Sequence, residues 1–138
     1  MDAPSGVIGS AFNDVLTGSV RTDNAGNTLG SRLDGGAGDD TYLVDDALDT
    51  IVELAGGGTD GVTATVSLTL ADHVERLTLK GGDLDGTGNE LANVLTGNTG
   101  NNLLQGGGGN DDLDGGYGVD TLRGGQGNDV YRVNTVND

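Results

Sequence analysis

A strict nine-residue period runs from Gly88 to Arg132 in five units without a gap: GNELANVLT, GNTGNNLLQ, GGGGNDDLD, GGYGVDTLR and GGQGNDVYR. The first column is always Gly. The sixth runs Asn93, Asn102, Asp111, Asp120, Asp129, and the eighth runs Leu95, Leu104, Leu113, Leu122, Tyr131. Each unit joins six residues that favour turns and positive φ to three residues centred on one apolar side chain, which suit a short strand. One unit cannot bury its apolar face, but stacked units can. The period therefore predicts an all-β solenoid of short parallel strands, with every turn presenting a carboxylate or carboxamide at the same height.

The same unit recurs in weaker form before the array. GSAFNDVLT (9–17) places Asp14 in the sixth column, and GGAGDDTYL (35–43) fits every column through Asp40 and Tyr42. Between them the register slips. Residues 18–25 read as an eight-residue or looped-out unit with Asp23 near the sixth column, and GNTLGSRLD (26–34) carries Ser31 in place of the acid. From Val44 to Thr87 the period is lost, although Thr50–Leu54, Val62–Leu70 and Val74–Leu79 keep strand-like alternation between turn clusters. A helix over 47–54 is the weaker reading, because Thr50, Ile51 and Val52 are β-branched. The expected organisation is a leader or boundary at 1–8, an N-terminal repeat block at 9–43, spacer coils at 44–87 and a C-terminal block at 88–138, in one continuous domain. Because Asp138 follows a complete repeat, further polypeptide is expected to cap the end.

Composition narrows the function. With three Tyr, one Phe and no Trp, an ordinary layered core would be poor, and a net charge of -16 adds self-repulsion. That charge disfavours nucleic acid and anionic membranes as partners and favours cations. The absence of Cys excludes disulfides and thiolate chemistry. No apolar run reaches the roughly 18 residues of a membrane span, and no basic-then-apolar signal segment opens the chain.

Four units match G-G-x-G-x-D-x-U-x in full, where U is a large apolar residue: 35–43, 106–114, 115–123 and 124–132. On these motifs the chain resembles the hemolysin-type (RTX) calcium-binding family, closely over 88–132 and more loosely over 9–43. The TYLVDDALDTIVELAGGGTDGV run is similar to the spacers among such repeats. The resemblance implies a parallel β-roll, a right-handed β-solenoid with alternate units on opposite sides and calcium held between neighbouring turns of one side. It also implies secretion through a type I system.

The residues suit that ion independently, since calcium takes six to eight oxygens from carboxylates and carbonyls, and glycine turns expose carbonyls. If unit n stacks on unit n+2, Asp111 pairs with Asp129, Asn102 with Asp120, Asn93 with Asp111, and Asp23 with Asp40 across the slip. The Asn-containing sites are expected to be weaker, and Asp14 opposite Ser31 weaker still. Asp45, Asp49 and Asp60 rank below these. The turn glycines expected to frame the ions are Gly35, Gly36, Gly38, Gly106, Gly107, Gly109, Gly115, Gly116, Gly118, Gly124, Gly125 and Gly127.

No catalytic residue is expected. Asn110–Gly115 begins like an EF-hand loop but has Thr121 where the bidentate Glu belongs, and Lys80 precedes its glycines, so no phosphate loop forms. His73, the one histidine, reads as a turn residue beside a strand. Arg76, Lys80, Arg123 and Arg132 read as solvated or acid-balancing. The leading expectation is thus a calcium-dependent folding module of a secreted bacterial protein. The competing ones are a polysaccharide- or surface-recognition module and a passive tail on a secreted protease, lipase or toxin.

Overall fold

The computed structural model describes residues 5–19 and 21–134. The first strands are β1 (Ser5–Ile8), β2 (Val15–Thr17), β3 (Arg21–Thr22), β4 (Thr28–Leu29), β5 (Ser31–Asp34) and β6 (Thr41–Val44). The middle segment forms β7 (Thr50–Val52), β8 (Gly61–Ala64), β9 (Leu68–Thr69), β10 (Arg76–Leu79) and β11 (Asp85–Thr87). The C-terminal array forms β12 (Val94–Asn98), β13 (Leu103–Gly107), β14 (Asp112–Gly116), β15 (Thr121–Gly125) and β16 (Val130–Arg132). No helix occurs among the described residues, and β7 stands where the weaker helix reading lay.

The strands form a parallel β-solenoid. One side is a seven-stranded sheet in the order β16-β14-β12-β10-β8-β6-β2, and the other carries β15-β13-β11-β9 and β1-β5-β7. From β5 onward successive strands alternate between the two sides, so two strands make a coil and unit n stacks on unit n+2. The register is in phase: Leu95 pairs with Leu113 and Leu104 with Leu122. The expected spacer coils belong to the same ladder, with Leu77 paired to both Val62 and Leu95. The expected strand at Val62–Leu70 divides into β8 and β9 because the chain crosses there from one sheet to the other.

The eighth column of the repeat forms most of the core, joined in the middle coils by Val44, Ala64, Leu70, Val74 and Leu79. Leu16, Tyr42, Val62, Leu77, Leu95 and Leu113 line it from one side, and Leu33 and Leu104 from the other, all almost wholly buried. Each such side chain contributes about 1.5–3 kcal/mol on burial. Gly86 takes an inner position of β11 because Leu77 and Leu104 already fill that space, approaching to 2.9 and 3.2 Å of where its Cβ would be.

Two N-terminal features add to the expected organisation. Strand structure starts at Ser5, within the segment expected to be a leader, because Val7 packs on the core and β1 pairs with β5. Residues 1–4 and 135–138, which belong to the expected leader and C-terminal block, lie outside the described residues. At the slip the chain takes the looped-out form: β3 and β4 make an antiparallel hairpin, and the strands on either side stack as if it were excised.

Candidate metal centre

Glycine plays two roles in the repeat. In the second and fourth columns it supplies positive φ, for example 107° at Gly107 and 92° at Gly109, and Gly36, Gly38, Gly116, Gly118, Gly125 and Gly127 follow suit. In the first column it supplies space. A methyl on Gly106 would overlap Asp111 Oδ2 and lie 2.5 Å from the Gly124 carbonyl oxygen of the next coil. Gly35, Gly115 and Gly124 face the Oδ2 atoms of Asp40, Asp120 and Asp129 in the same way. The first-column glycine therefore leaves a carboxylate oxygen and a neighbouring carbonyl facing a common space.

The sixth column forms a hydrogen-bonded ladder along each edge. Asn93 N–H donates to Asp111 Oδ1 at 2.8 Å, Asp111 N–H to Asp129 Oδ1 at 3.0 Å, and Asn102 N–H to Asp120 Oδ1 at 2.8 Å. These are the three C-terminal pairs expected from the period. The other oxygens are left over: the Oδ2 atoms of Asp40, Asp49, Asp60 and Asp111 are buried with no hydrogen-bond partner. A buried carboxylate oxygen without a donor is costly unless a cation meets it.

Asparagine at the same column avoids this. Asn93 Oδ1 accepts from Asn89 N–H at 2.7 Å while its Nδ2 donates to the Val74 carbonyl at 3.1 Å. Asn102 likewise accepts from Asn98 N–H and donates to Leu84, both at 2.8 Å. A carboxamide closes its own bonds, whereas Asp40, Asp49, Asp60 and Asp111 each keep an open oxygen.

The N-terminal pairs differ from expectation. Asp40 Oδ1 accepts from Asp14 N–H at 2.8 Å, and Asp40 N–H donates to Asp60 Oδ1 at 2.7 Å. Asp23 is not stacked on Asp40; it closes the hairpin, accepting from Ala25 and Asn27 N–H at 2.8 Å. Ser31 faces Asp49 rather than Asp14, its N–H donating at 2.7 Å. Asp49 and Asp60, ranked low from sequence, are thus column members, and Glu75 continues the ladder by accepting from Asp60 N–H at 2.8 Å. The signal for Asp60 was present in AGGGTD, a glycine turn ending in Asp like GGAGDD but out of phase. Glu53 had no such signal: it comes from the opposite sheet, and its carboxylate meets those of Asp40 and Asp60. His73 lies in the turn before β10 at a φ of 67°.

Burial raises the carboxyl pKa values of Asp111, Asp60 and Glu53 above their ordinary values; donated hydrogen bonds oppose the shift and neighbouring acids add to it. Acids with raised folded-state pKa values destabilise the metal-free fold at neutral pH, and protonation relieves this as pH falls through the raised values. Arg132 lowers Asp112, which acts in the opposite sense, but that pair is solvent-exposed and its weight is small. In chelator, β structure is therefore expected to increase as pH is lowered from 7 toward the ordinary carboxylate range, whereas the calcium needed for folding increases. Circular dichroism across that range checks this, and a chelated chain that gains no β structure on acidification would contradict it.

Comparison with known proteins agrees with this geometry. A family model described as the RTX calcium-binding nonapeptide repeat (4 copies) matches residues 31–51, 87–118 and 107–138, together more than half of the chain. The endo-1,3-1,4-beta-glycanase ExsH of Rhizobium meliloti (strain 1021) is 34% identical over 87 residues. That match covers 63% of this chain but 17% of the relative's own length. No solved structure matches the chain at a significant level. With stacked glycine turns, an in-phase acidic column and this match over most of its repeats, the chain belongs to the RTX calcium-binding nonapeptide repeat family.

Proposed function

We propose that the chain is a non-catalytic calcium-binding β-roll module whose folding depends on several bound ions. The observation that carries this is the set of buried, unpartnered Oδ2 atoms on Asp40, Asp60 and Asp111 beside glycine turns. In the C-terminal block Asp111, Asp120 and Asp129 would hold the ions with turn carbonyls such as that of Gly124; in the N-terminal block Asp40 would do so with Asp60. Asn93 and Asn102, being satisfied by the chain itself, mark the weaker positions. Calcium supplies positive charge between coils, so its binding free energy becomes folding free energy.

Extracellular modules bind calcium at roughly 10⁻⁴ to 10⁻³ M, above cytosolic levels. The reading therefore includes export of the unfolded chain, by a type I route as the family resemblance implies, and folding outside the cell. Circular dichroism with calcium addition and chelation tests the central claim.

The match to ExsH favours a second reading, in which the roll is a module of an extracellular enzyme acting on polysaccharide and itself touches a glycan. With three Tyr, one Phe and no Trp, the chain offers few stacking platforms for sugars. Under this reading the calcium-loaded chain is retained on immobilised β-1,3-1,4-linked glycans and released by chelator. Equal elution with and without calcium counts against it.

A further inference from the structure

We propose that Asp40, Glu53 and Asp60, with the Tyr42 hydroxyl, form a cation site of a second kind, built across the interior of the solenoid and selective for a calcium-sized, oxygen-seeking ion. The proposal rests on the calcium-binding reading above and gives its Asp40–Asp60 site a third carboxylate and a phenol that the repeat does not encode.

Three elements converge there. Asp40 ends the turn before β6, Asp60 ends the turn before β8 one coil further on, and Glu53 follows β7 on the opposite sheet. Their exposures are 2%, 0% and 9%, and one carboxylate oxygen from each lies within 4.8 Å of the others. Calcium–oxygen bonds of roughly 2.4 Å allow oxygens so spaced to share one centre. Tyr42 occupies the inner column of its sheet, where Leu16, Val62, Leu77, Leu95 and Leu113 stand on other strands. Its phenol reaches across, and the hydroxyl donates to Glu53 Oε1.

A second observation points to a ligand. Asp40 and Asp60 each use Oδ1 to accept a backbone N–H, and each has a buried Oδ2 with no partner. None of the three acids takes part in an ion pair among the described residues. Gly35 lines the space: a methyl there would strike the Tyr42 hydroxyl, Asp40 Oδ2 and Glu53 Oε1 together. Three mutually facing acids without a counter-charge are costly in a buried place. The repeat turn at Asp111 and Asp129 offers two carboxylates, so the three-carboxylate site fills first and favours higher cation charge.

Terbium replaces calcium at oxygen sites and emits when a nearby tyrosine is excited, so Tyr42 is a built-in reporter. Titrating terbium into the full calcium-free chain is expected to give tyrosine-sensitised emission at the lowest additions. Tyr42→Phe removes most of that emission, although Tyr117 and Tyr131 remain. Glu53→Gln raises the terbium concentration needed for it about tenfold or more, as expected for losing one charged ligand. Because the Tyr131 hydroxyl lies against Gly124 N–H in the repeat turn, the lowest additions decide: emission there that survives Tyr42→Phe, or an unchanged concentration dependence in Glu53→Gln, overturns the site. Should a variant not fold, emission lifetimes of the unaltered chain in H₂O and D₂O decide the matter. With four protein oxygens a bound ion keeps roughly two to four waters, and a nearly fully hydrated one refutes the proposal. Calcium-induced β structure is read on the same samples. Its absence from the unaltered chain sinks the calcium reading itself, while its presence without Tyr42-dependent emission sinks the interior site alone.

Discussion

Adding calcium to the chelated chain is expected to convert a polypeptide with little regular structure into a β-rich one, and chelation to reverse it. A net charge of -16 opposes compaction, and the acids are brought into register by the fold itself. The apolar core is one narrow inward column per sheet, thickened in the middle coils by Val44, Ala64, Leu70, Val74 and Leu79. Against this, an ion present at a hundred times its dissociation constant adds about 2.7 kcal/mol per site. Two or three such sites match the about 5–15 kcal/mol stability of an ordinary domain. Far-ultraviolet circular dichroism during titration, with magnesium as a control, checks the expectation. A chelated chain as β-structured and heat-stable as the loaded one would show that the core suffices and that the ions are incidental.

The second large effect is a ranking of substitutions. Asp111→Ala is expected to shift the calcium midpoint most, because Asp111 serves two stacked turns: its Oδ1 accepts from Asn93 N–H, and its own N–H donates to Asp129. Alanine leaves the Asn93 N–H without its acceptor, a loss of about 1–3 kcal/mol besides the lost ligand. Asp111→Asn is expected to raise the midpoint less and to leave the chelated chain more stable than the parent, since Asn93 and Asn102 show how a carboxamide closes its own bonds in this column. Asp23→Ala loses hairpin bonds only and is expected to leave the midpoint where it was. Midpoints from calcium titrations of the three variants check the order. A shift in Asp23→Ala equal to that in Asp111→Ala would refute the stacking.

Much of this was legible in advance because the repeat is local chemistry. Nine-residue spacing with glycine at columns one, two and four dictates turn, strand and turn whatever the partner. Two units to a coil then place Asn93, Asp111 and Asp129 eighteen residues apart on one edge, where they are found. The middle of the chain was not legible in this way. Coils of 26, 20 and 15 residues bring Asp14, Asp40, Asp60 and Glu75 into one column, so no fixed offset identifies them.

The sequence alone therefore determined the parallel solenoid, the inward eighth column and the acidic sixth column, each of which follows from periodicity and the needs of a glycine turn. Tertiary structure decided the rest: that residues 21–29 leave the coil as a hairpin, that Asp40 meets Asp14 and Asp60 rather than Asp23, and that Glu53 crosses to join them through Tyr42. The physical reason is that a parallel ladder pairs strands by position in space. Extra residues can loop out between coils without disturbing the register, and sequence distance does not reveal which acid comes to rest against which.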